Sequence, residues 1–398
     1  MRSLESALIE LLARAPKPPA PEWVSLSQGS GRVLASPVVS PIAVPGFDNA
    51  QMDGFAVRAA EVSPGIALPV SQRITAGHPG DPLQPGSAAR IFTGAPIPDG
   101  ADSVVMQEEA VLSEDGLWVT LKVSPPVGQF VRPRGGDLLA GGDVFQPGRR
   151  LQPEDLGLLA SIGVDRVEVH SPLRVAIFSS GDELVQPGTP LQPGQIYDTN
   201  RPMMSALLGG VGASVTDLGV LPDDLAVTTQ ALARAGESHD VVLTCGGVSV
   251  GEEDHIKAAV RAAGALDLWQ VAIKPGKPFA FGRVGQAAFI GLPGNPVSAW
   301  VTFMLLVRPF LLRAGGVQRV DPEAFQALAD FSWPQPDRRQ EFLRATLSRD
   351  GRVGIHAKQN SQLLSSVTQS QCLVVVPPQT PIQRGDSVEV LSFAALRA

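Results

Sequence analysis

Asp240-Val-Val-Leu-Thr-Cys-Gly-Gly-Val-Ser-Val-Gly251, followed at once by Glu252, Glu253 and Asp254, reads as an apolar β-strand that runs into a glycine-rich turn. A helix is expected to begin near Asp254. The backbone N–H groups of Gly246, Gly247 and Gly251, with the Ser249 hydroxyl, can face an anion, as glycine turns at helix starts do. The carboxylates just beyond would repel a phosphate unless a cation lay between them. A phosphorylated ligand held partly through Mg²⁺ satisfies both halves of the pattern. Twenty residues on, Lys274-Pro-Gly-Lys277-Pro278 fixes two more cations across a rigid turn.

Outward from this stretch, strands and helices alternate. Pro172 to Phe178 reads as a strand ending at Ser179-Ser-Gly181. It is followed by a helix from Pro202 to Leu208, a strand from Ser214 to Val220 and a helix from Asp223 to Ala235. Beyond the glycine turn come a helix from Asp254 to Ala263 and a strand from Trp269 to Ile273. This alternation predicts a doubly wound parallel sheet, whose ligands bind outside the carboxyl ends of the strands. A helix over Met1 to Ala13 stops at Ala15-Pro-Lys-Pro-Pro. From Val39 to about Asp143 short β-like runs dominate: Phe55 to Val57, Leu68 to Thr75, Ala89 to Thr93, Ser103 to Gln107 and Leu117 to Val123. A helix over Pro153 to Ser161 follows. The last segment returns to β-like runs at Glu341 to Ser348, Gly351 to Ala357 and Cys372 to Val376. The expected architecture is α/β and multidomain. An N-terminal elongated region comprises residues 1–50 and 138–170, with a β-rich unit inserted at 51–137. The α/β domain covers 171–318 and a small β domain 323–396.

At 398 residues the chain is too long for one core, and 44% apolar content suits a globular protein. Arg2, Glu5, Glu10 and Arg14 interrupt the first segment, so no signal peptide is read there. The run from Trp300 to Leu312 carries Arg308 and Pro309 and is too short for a bilayer. Two cysteines, Cys245 and Cys372, predict neither a disulfide framework nor a zinc site, and a reducing cytoplasm fits. A net charge of −7 argues against nucleic-acid or acidic-membrane partners, so any anion site must be local.

Each candidate residue also has a plainer reading. Asp182 and Glu183 follow a strand, as solvated turn residues do; Asn200 and Ser298 can be helix caps; Asp53 and Asp137 can make Asx turns. Their placement at matching strand ends, with Lys274 and Lys277, is what argues for one shared site. None of the five histidines is spaced as a metal-ligand pair, and no nucleophile triad can be assembled.

Six motifs in order carry a family resemblance. They are Met52-Asp-Gly-Phe-Ala-Val57, Thr93-Gly-Ala-Pro-Ile-Pro98, Ser179-Ser-Gly-Asp-Glu-Leu184, Gly246-Gly-Val-Ser-Val-Gly251, Ile273-Lys-Pro-Gly-Lys-Pro278 and Gly291-Leu-Pro-Gly-Asn-Pro-Val-Ser298. Over essentially its whole length the chain resembles the molybdopterin molybdenumtransferases, whose eukaryotic relative is the E domain of gephyrin. The resemblance implies that a molybdopterin-binding α/β domain takes adenylylated molybdopterin and molybdate and gives molybdenum cofactor and AMP, with Mg²⁺ required. It implies a homodimer whose cleft joins the α/β and C-terminal domains of one subunit to the β-rich domain of the other. A molybdopterin adenylyltransferase would act upstream. The acidic positions carried over are Asp53, Asp137, Glu183, Asp223 and Asp254, with Thr93 in the facing loop; Glu183 and Asp254 would hold the metal. Lys274, Lys277, Pro278 and Ser298 would meet molybdate. Arg339 and Ser361 are the C-terminal candidates, with Arg338 and Arg344 as alternatives for the arginine. Other readings remain: the preceding adenylylation step, a non-catalytic scaffold, and a nucleotide pyrophosphatase or amidase.

Overall fold

The computed structural model describes residues 1–222, 224–247 and 255–397. Its centre is a six-stranded sheet in the order Ser214–Leu221, Arg174–Ser180, Val241–Cys245, Ala287–Leu292, Pro278–Val284 and Gly264–Gln270. The first four strands are mutually parallel, while Pro278–Val284 is antiparallel to both of its neighbours. Five strands therefore run one way and one is reversed. The reversal departs from an all-parallel reading, and it arises because the Lys274–Lys277 turn folds the chain straight back. That turn consequently lies at the same edge as the carboxyl ends of the parallel strands.

Period-two alternation explains how the sheet is covered. Val175 and Ile177 enter one core with Met204 and Leu208 of the helix Asn200–Gly210, whereas Ala176 and Phe178 enter the opposite one. There they meet Leu232 and Ala235 of the helix Leu225–Ser238 and Ile256, Ala259 and Val260 of the helix His255–Ala263. Each fully buried aliphatic side chain contributes roughly 2 kcal/mol. The helical run 296–314, nineteen residues and 94% buried, is long and apolar enough to cross a membrane by composition alone. Burial, not length, is what marks it as a core element.

The helix Leu4–Ala13, capped by Ser3, puts Ala7 and Leu11 into the central core. This differs from its expected grouping with the N-terminal elongated region. Backbone bonds from the Arg2 N–H to the Gln270 carbonyl and from the Ala272 N–H to the Arg2 carbonyl pin it to the edge of the sheet. The elongated region has its own core of Val24, Leu34, Leu151, Leu159, Val167 and Val169, built on antiparallel pairing of Pro21–Ser25 with Arg166–His170. The inserted unit is a six-stranded sheet in the order Ser103–Met106, Gly54–Val57, Ala88–Ile91, Ala67–Ile74, Trp118–Leu121 and Ala110–Leu112. In the C-terminal domain the strands Ala324–Ala329, Gln340–Leu347, Arg352–Ile355, Cys372–Val376 and Ser387–Ser392 close on themselves, because Gln340–Leu347 pairs with both Arg352–Ile355 and Cys372–Val376. The result is a small barrel. Ile273 and Lys274 leave the central domain to pair in parallel with Gln340 and Glu341, so one short strand ties the barrel to the turn carrying the lysines.

Candidate functional site

At the carboxyl edge of the central sheet, Gly246 and Gly247 take φ values of 95° and 64°. A Cβ on Gly247 would lie 2.2 Å from Ile256 Cδ1, and one on Gly246 would lie 3.3 Å from the Ser180 carbonyl oxygen. Glycine is thus required for the turn both by its conformation and by its close approach. Ser249, Gly251 and Asp254, and likewise Asp223, lie outside the described residues.

Asn200 is the first residue of its helix rather than its cap. The capping role belongs to Asp198, whose Oδ1 accepts the N–H groups of Asn200 and Arg201 at 3.1 and 3.2 Å. Asp198 is in turn held by the Arg201 guanidinium, which also reaches Asp217 at 2.6 Å. Asn200 is thereby free to donate Nδ2 to the Gly294 carbonyl at 2.6 Å, leaving its buried Oδ1 without a partner among the described residues. The Ser179 hydroxyl, buried at the end of the strand Arg174–Ser180, is also unpartnered among the described residues. Buried polar atoms rarely go unsatisfied, and these two lie at the same sheet edge. Cys245, at the end of the next strand, is inert: burial, with Asp198 adding to it, pushes its thiol far above the ordinary range.

The helix Pro296–Thr302 presents its N-terminus to the same edge, with Ser298 buried in its first turn. Ser361 comes to it from the C-terminal domain, accepting the Val297 N–H at 3.0 Å through its carbonyl and Asn295 Nδ2 at 3.3 Å through its hydroxyl. One turn along, Gly276 packs on the same helix. A Cβ there would lie 2.5 Å from Thr302 Oγ1, itself buried and unpartnered.

The charges are distributed differently from expectation. Lys274 Nζ lies 3.0 Å from Glu341 Oε1, an ion pair outside hydrogen-bond alignment, and 3.5 Å from Asp337 Oδ2. Glu341 is 1% exposed, and its Oε2 accepts Trp333 Nε1 and the Asp337 N–H at 2.9 and 2.7 Å. Arg339 donates to both Asp337 oxygens at 3.0 and 2.9 Å, which holds that carboxyl well below the usual carboxylate range. Lys274 and Arg339 are therefore already neutralised. Lys277 is exposed and has no ion pair among the described residues, and Pro278 begins the reversed strand. Arg339 and Ser361 belong to separate hydrogen-bond networks. Arg344 reaches the segment of Ser361 through Asn360: it is 1% exposed, donates to Ser366 Oγ, Phe342 O and Asn360 O, and faces no carboxylate among the described residues. Burial pushes its guanidinium down to about 10.

Glu183 stands exposed beside Gly181, with no hydrogen bond or ion pair to its carboxylate among the described residues. No group of three or more His, Cys, Asp or Glu there is arranged to hold a metal ion. In the inserted unit, Asp53 Oδ1 accepts both the N–H and the hydroxyl of Thr93 at 2.8 Å; these bonds, the backbone one first, lower its pKa. The neighbouring loops gather at that end: the Gly94 N–H bonds the Ala50 carbonyl, the Arg134 N–H bonds Asp48 Oδ1, and the Asp137 N–H bonds the Val44 carbonyl. Among the described residues no hydrogen bond or ion pair joins Asp53, Thr93 or Asp137 to the central crevice.

Sequence reasoning missed Asp198, Asp337 and Glu341. Glu341 did leave a signal, since it shares the register of the buried Leu343 and Ala345 on its strand.

Known proteins match this architecture from end to end. Residues 2–163 match the MoeA N-terminal region (domain I and II), 176–313 the probable molybdopterin binding domain, and 326–393 the MoeA C-terminal region (domain IV). The chain is 40% identical over 400 residues to a molybdopterin molybdenumtransferase of Haemophilus influenzae, covering 99% of each chain. It is 34% identical to one from Nostoc sp., covering 99% of this chain and 93% of the relative. A crystal structure of the molybdopterin biosynthesis MoeA protein from Pyrococcus horikoshii superposes with a TM-score of 0.85 at 28% identity, covering 99% and 100% of the two chains. The chain belongs to the molybdopterin molybdenumtransferase family.

Proposed function

We propose that this enzyme inserts molybdate into adenylylated molybdopterin and releases AMP, in a Mg²⁺-dependent last step of molybdenum cofactor assembly. The observation that carries the reading is the convergence, at one sheet edge, of the glycine turn, the unpartnered Asn200 and Ser179 oxygens, the helix start at Ser298 and the lysine turn. The N–H groups of Gly246 and Gly247 suit the phosphate of the ligand. Asn200, anchored by Gly294, presents a fixed acceptor to a donor on the pterin or nucleotide. Lys277 and the N-terminus of the Ser298 helix attract the molybdate dianion, and Lys274 joins them at the wall shared with the barrel. Holding the two anions in fixed positions is the protein's main contribution, because the exchange of molybdate oxygens for dithiolene sulfurs needs proximity.

Glu183 fits a Mg²⁺ ligand on chemical grounds. The ion is usually held by one or two carboxylates plus phosphate oxygens, and this carboxylate is committed to nothing else among the described residues. Asp254 would be the second. When bound, Mg²⁺ would neutralise charge on the phosphoanhydride as it is cleaved.

We further propose a homodimer in which Asp53, Thr93 and Asp137 of one copy face the crevice of the other. Thr93 and Asp137 are exposed and Asp53 half-buried, and among the described residues no bond joins them to the crevice of their own chain. An apolar groove of about 710 Å³, lined by Met203, Leu207, Trp300, Phe303 and Phe393, offers a second copy a surface to cover. The buried thiols of Cys245 and Cys372 suit a reducing cytoplasm, where a molybdopterin adenylyltransferase would supply the substrate. The test is AMP release from adenylylated molybdopterin on addition of molybdate and Mg²⁺. Absence of release from folded protein would reject the reading, and ATP-dependent adenylylation of molybdopterin would favour the preceding step instead.

A further inference from the structure

Asp337 Oδ2 lies 2.9 Å from Arg339 Nη2 and 3.5 Å from Lys274 Nζ. One carboxylate oxygen thus bridges two cations, as one oxygen of a tetrahedral oxyanion would. The two acids of the cluster are held differently. Glu341 is on a strand, buried, and committed to Trp333 and the Asp337 N–H. Asp337 precedes that strand, and its carboxylate, 21% exposed, is held among the described residues by Lys274 and by the guanidinium and backbone N–H of Arg339. Lys274 is 43% exposed, so solvent reaches the same place. Two cations face two carboxylates, and the cluster carries no net positive charge until one acid moves.

We propose that Asp337 is a built-in competitor for the oxyanion. Its carboxylate holds the position between Lys274 and Arg339 that the incoming anion takes, and it turns out to solvent as the anion enters. Glu341 stays and keeps the Lys274 ammonium in place. The inference rests on the reading of Lys274 as anion-binding, and it adds a residue that sets how strongly anions must bind to enter.

The test is calorimetric titration of the ligand-free protein with molybdate and with perrhenate, a tetrahedral monoanion of similar size. It would be made on the wild type, Asp337→Asn, Asp337→Ser and Asp337→Glu, with melting curves to confirm the fold. Displacing a carboxylate costs the same whichever anion displaces it. Both anions should therefore bind about fivefold more tightly to the Asn and Ser variants, by the same factor, and the Glu variant should restore the weaker binding. A purely structural Asp337 would give unchanged or weaker binding in both variants, and that result overturns the proposal. A fixed carboxylate acting only through its field would make the gain for molybdate about the square of that for perrhenate. That outcome overturns it too. If no folded variant binds either anion, the proposal falls, while the assignment of function is judged separately by AMP release.

Discussion

The central crevice and the acidic loops of the inserted unit are built on opposite plans. In the crevice, segments from three parts of the chain meet and leave buried oxygens of Asn200, Ser179 and Thr302 without partners among the described residues. In the inserted unit two acids are already held, Asp53 by two bonds from Thr93 and Asp48 by the Arg134 N–H. The first arrangement is incomplete without a ligand. The second is fixed by bonds of its own and reaches the surface, as a preformed arm would that acts on another surface.

The largest expected effect comes from emptying the crevice wall. Lys274→Ala should lower AMP release by about three orders of magnitude, the scale of losing a preorganised charge at a reacting anion. Because it leaves buried Glu341 unpaired, the same change should also cost about 2 kcal/mol, less than a fully buried pair would because Lys274 is 43% exposed. Adding Glu341→Gln should restore the melting temperature but not the activity, which separates the two roles.

Gly247→Ala attacks the turn itself. The positive φ and the Ile256 contact together should cost about 2 kcal/mol in urea unfolding and weaken nucleotide binding several-fold. Thr93→Ala probes the other region. It removes one of the two bonds to Asp53, so steady-state turnover should fall about tenfold while the melting temperature barely moves, since the pair is at the surface. If it instead unfolded the inserted unit, the arm would be structural and the contrast would collapse.

The smallest effect is electrostatic. The Asp337 carboxyl, held by Arg339, has a folded pKa below its ordinary 3.8. The stability it contributes is present above about pH 4 and is lost as pH falls through the lower folded value. Asp337→Asn should therefore cost at most about 0.5 kcal/mol at pH 7, and the difference from wild type should shrink steadily in melts as pH falls below about 4.

Much of this was legible in the sequence because the relevant signals are local. The helix Pro153–Ser161 and the strand Cys372–Val376 fall where turn chemistry and periodicity put them. The reversal of Pro278–Val284 was not legible, since a strand's direction depends on which neighbour it pairs with and not on its own pattern. Nor was the commitment of Lys274 and Arg339 to acids. Asp337 and Glu341 lie more than sixty residues from Lys274 and reach it only because Ile273 and Lys274 add a strand to the barrel. The burial of Arg344 likewise depends on the barrel closing.

Whether the two unlike regions form one reaction centre across two chains is tested most directly by mixing inactive subunits. Asp53→Asn has an intact crevice, and the Lys274→Ala, Glu341→Gln protein has an intact arm. Unfolded together in equal amounts and refolded, they form mixed dimers, each with one site built from two sound halves, and about a quarter of wild-type AMP release should return. Recovery of no activity beyond the sum of the two parents would contradict the account.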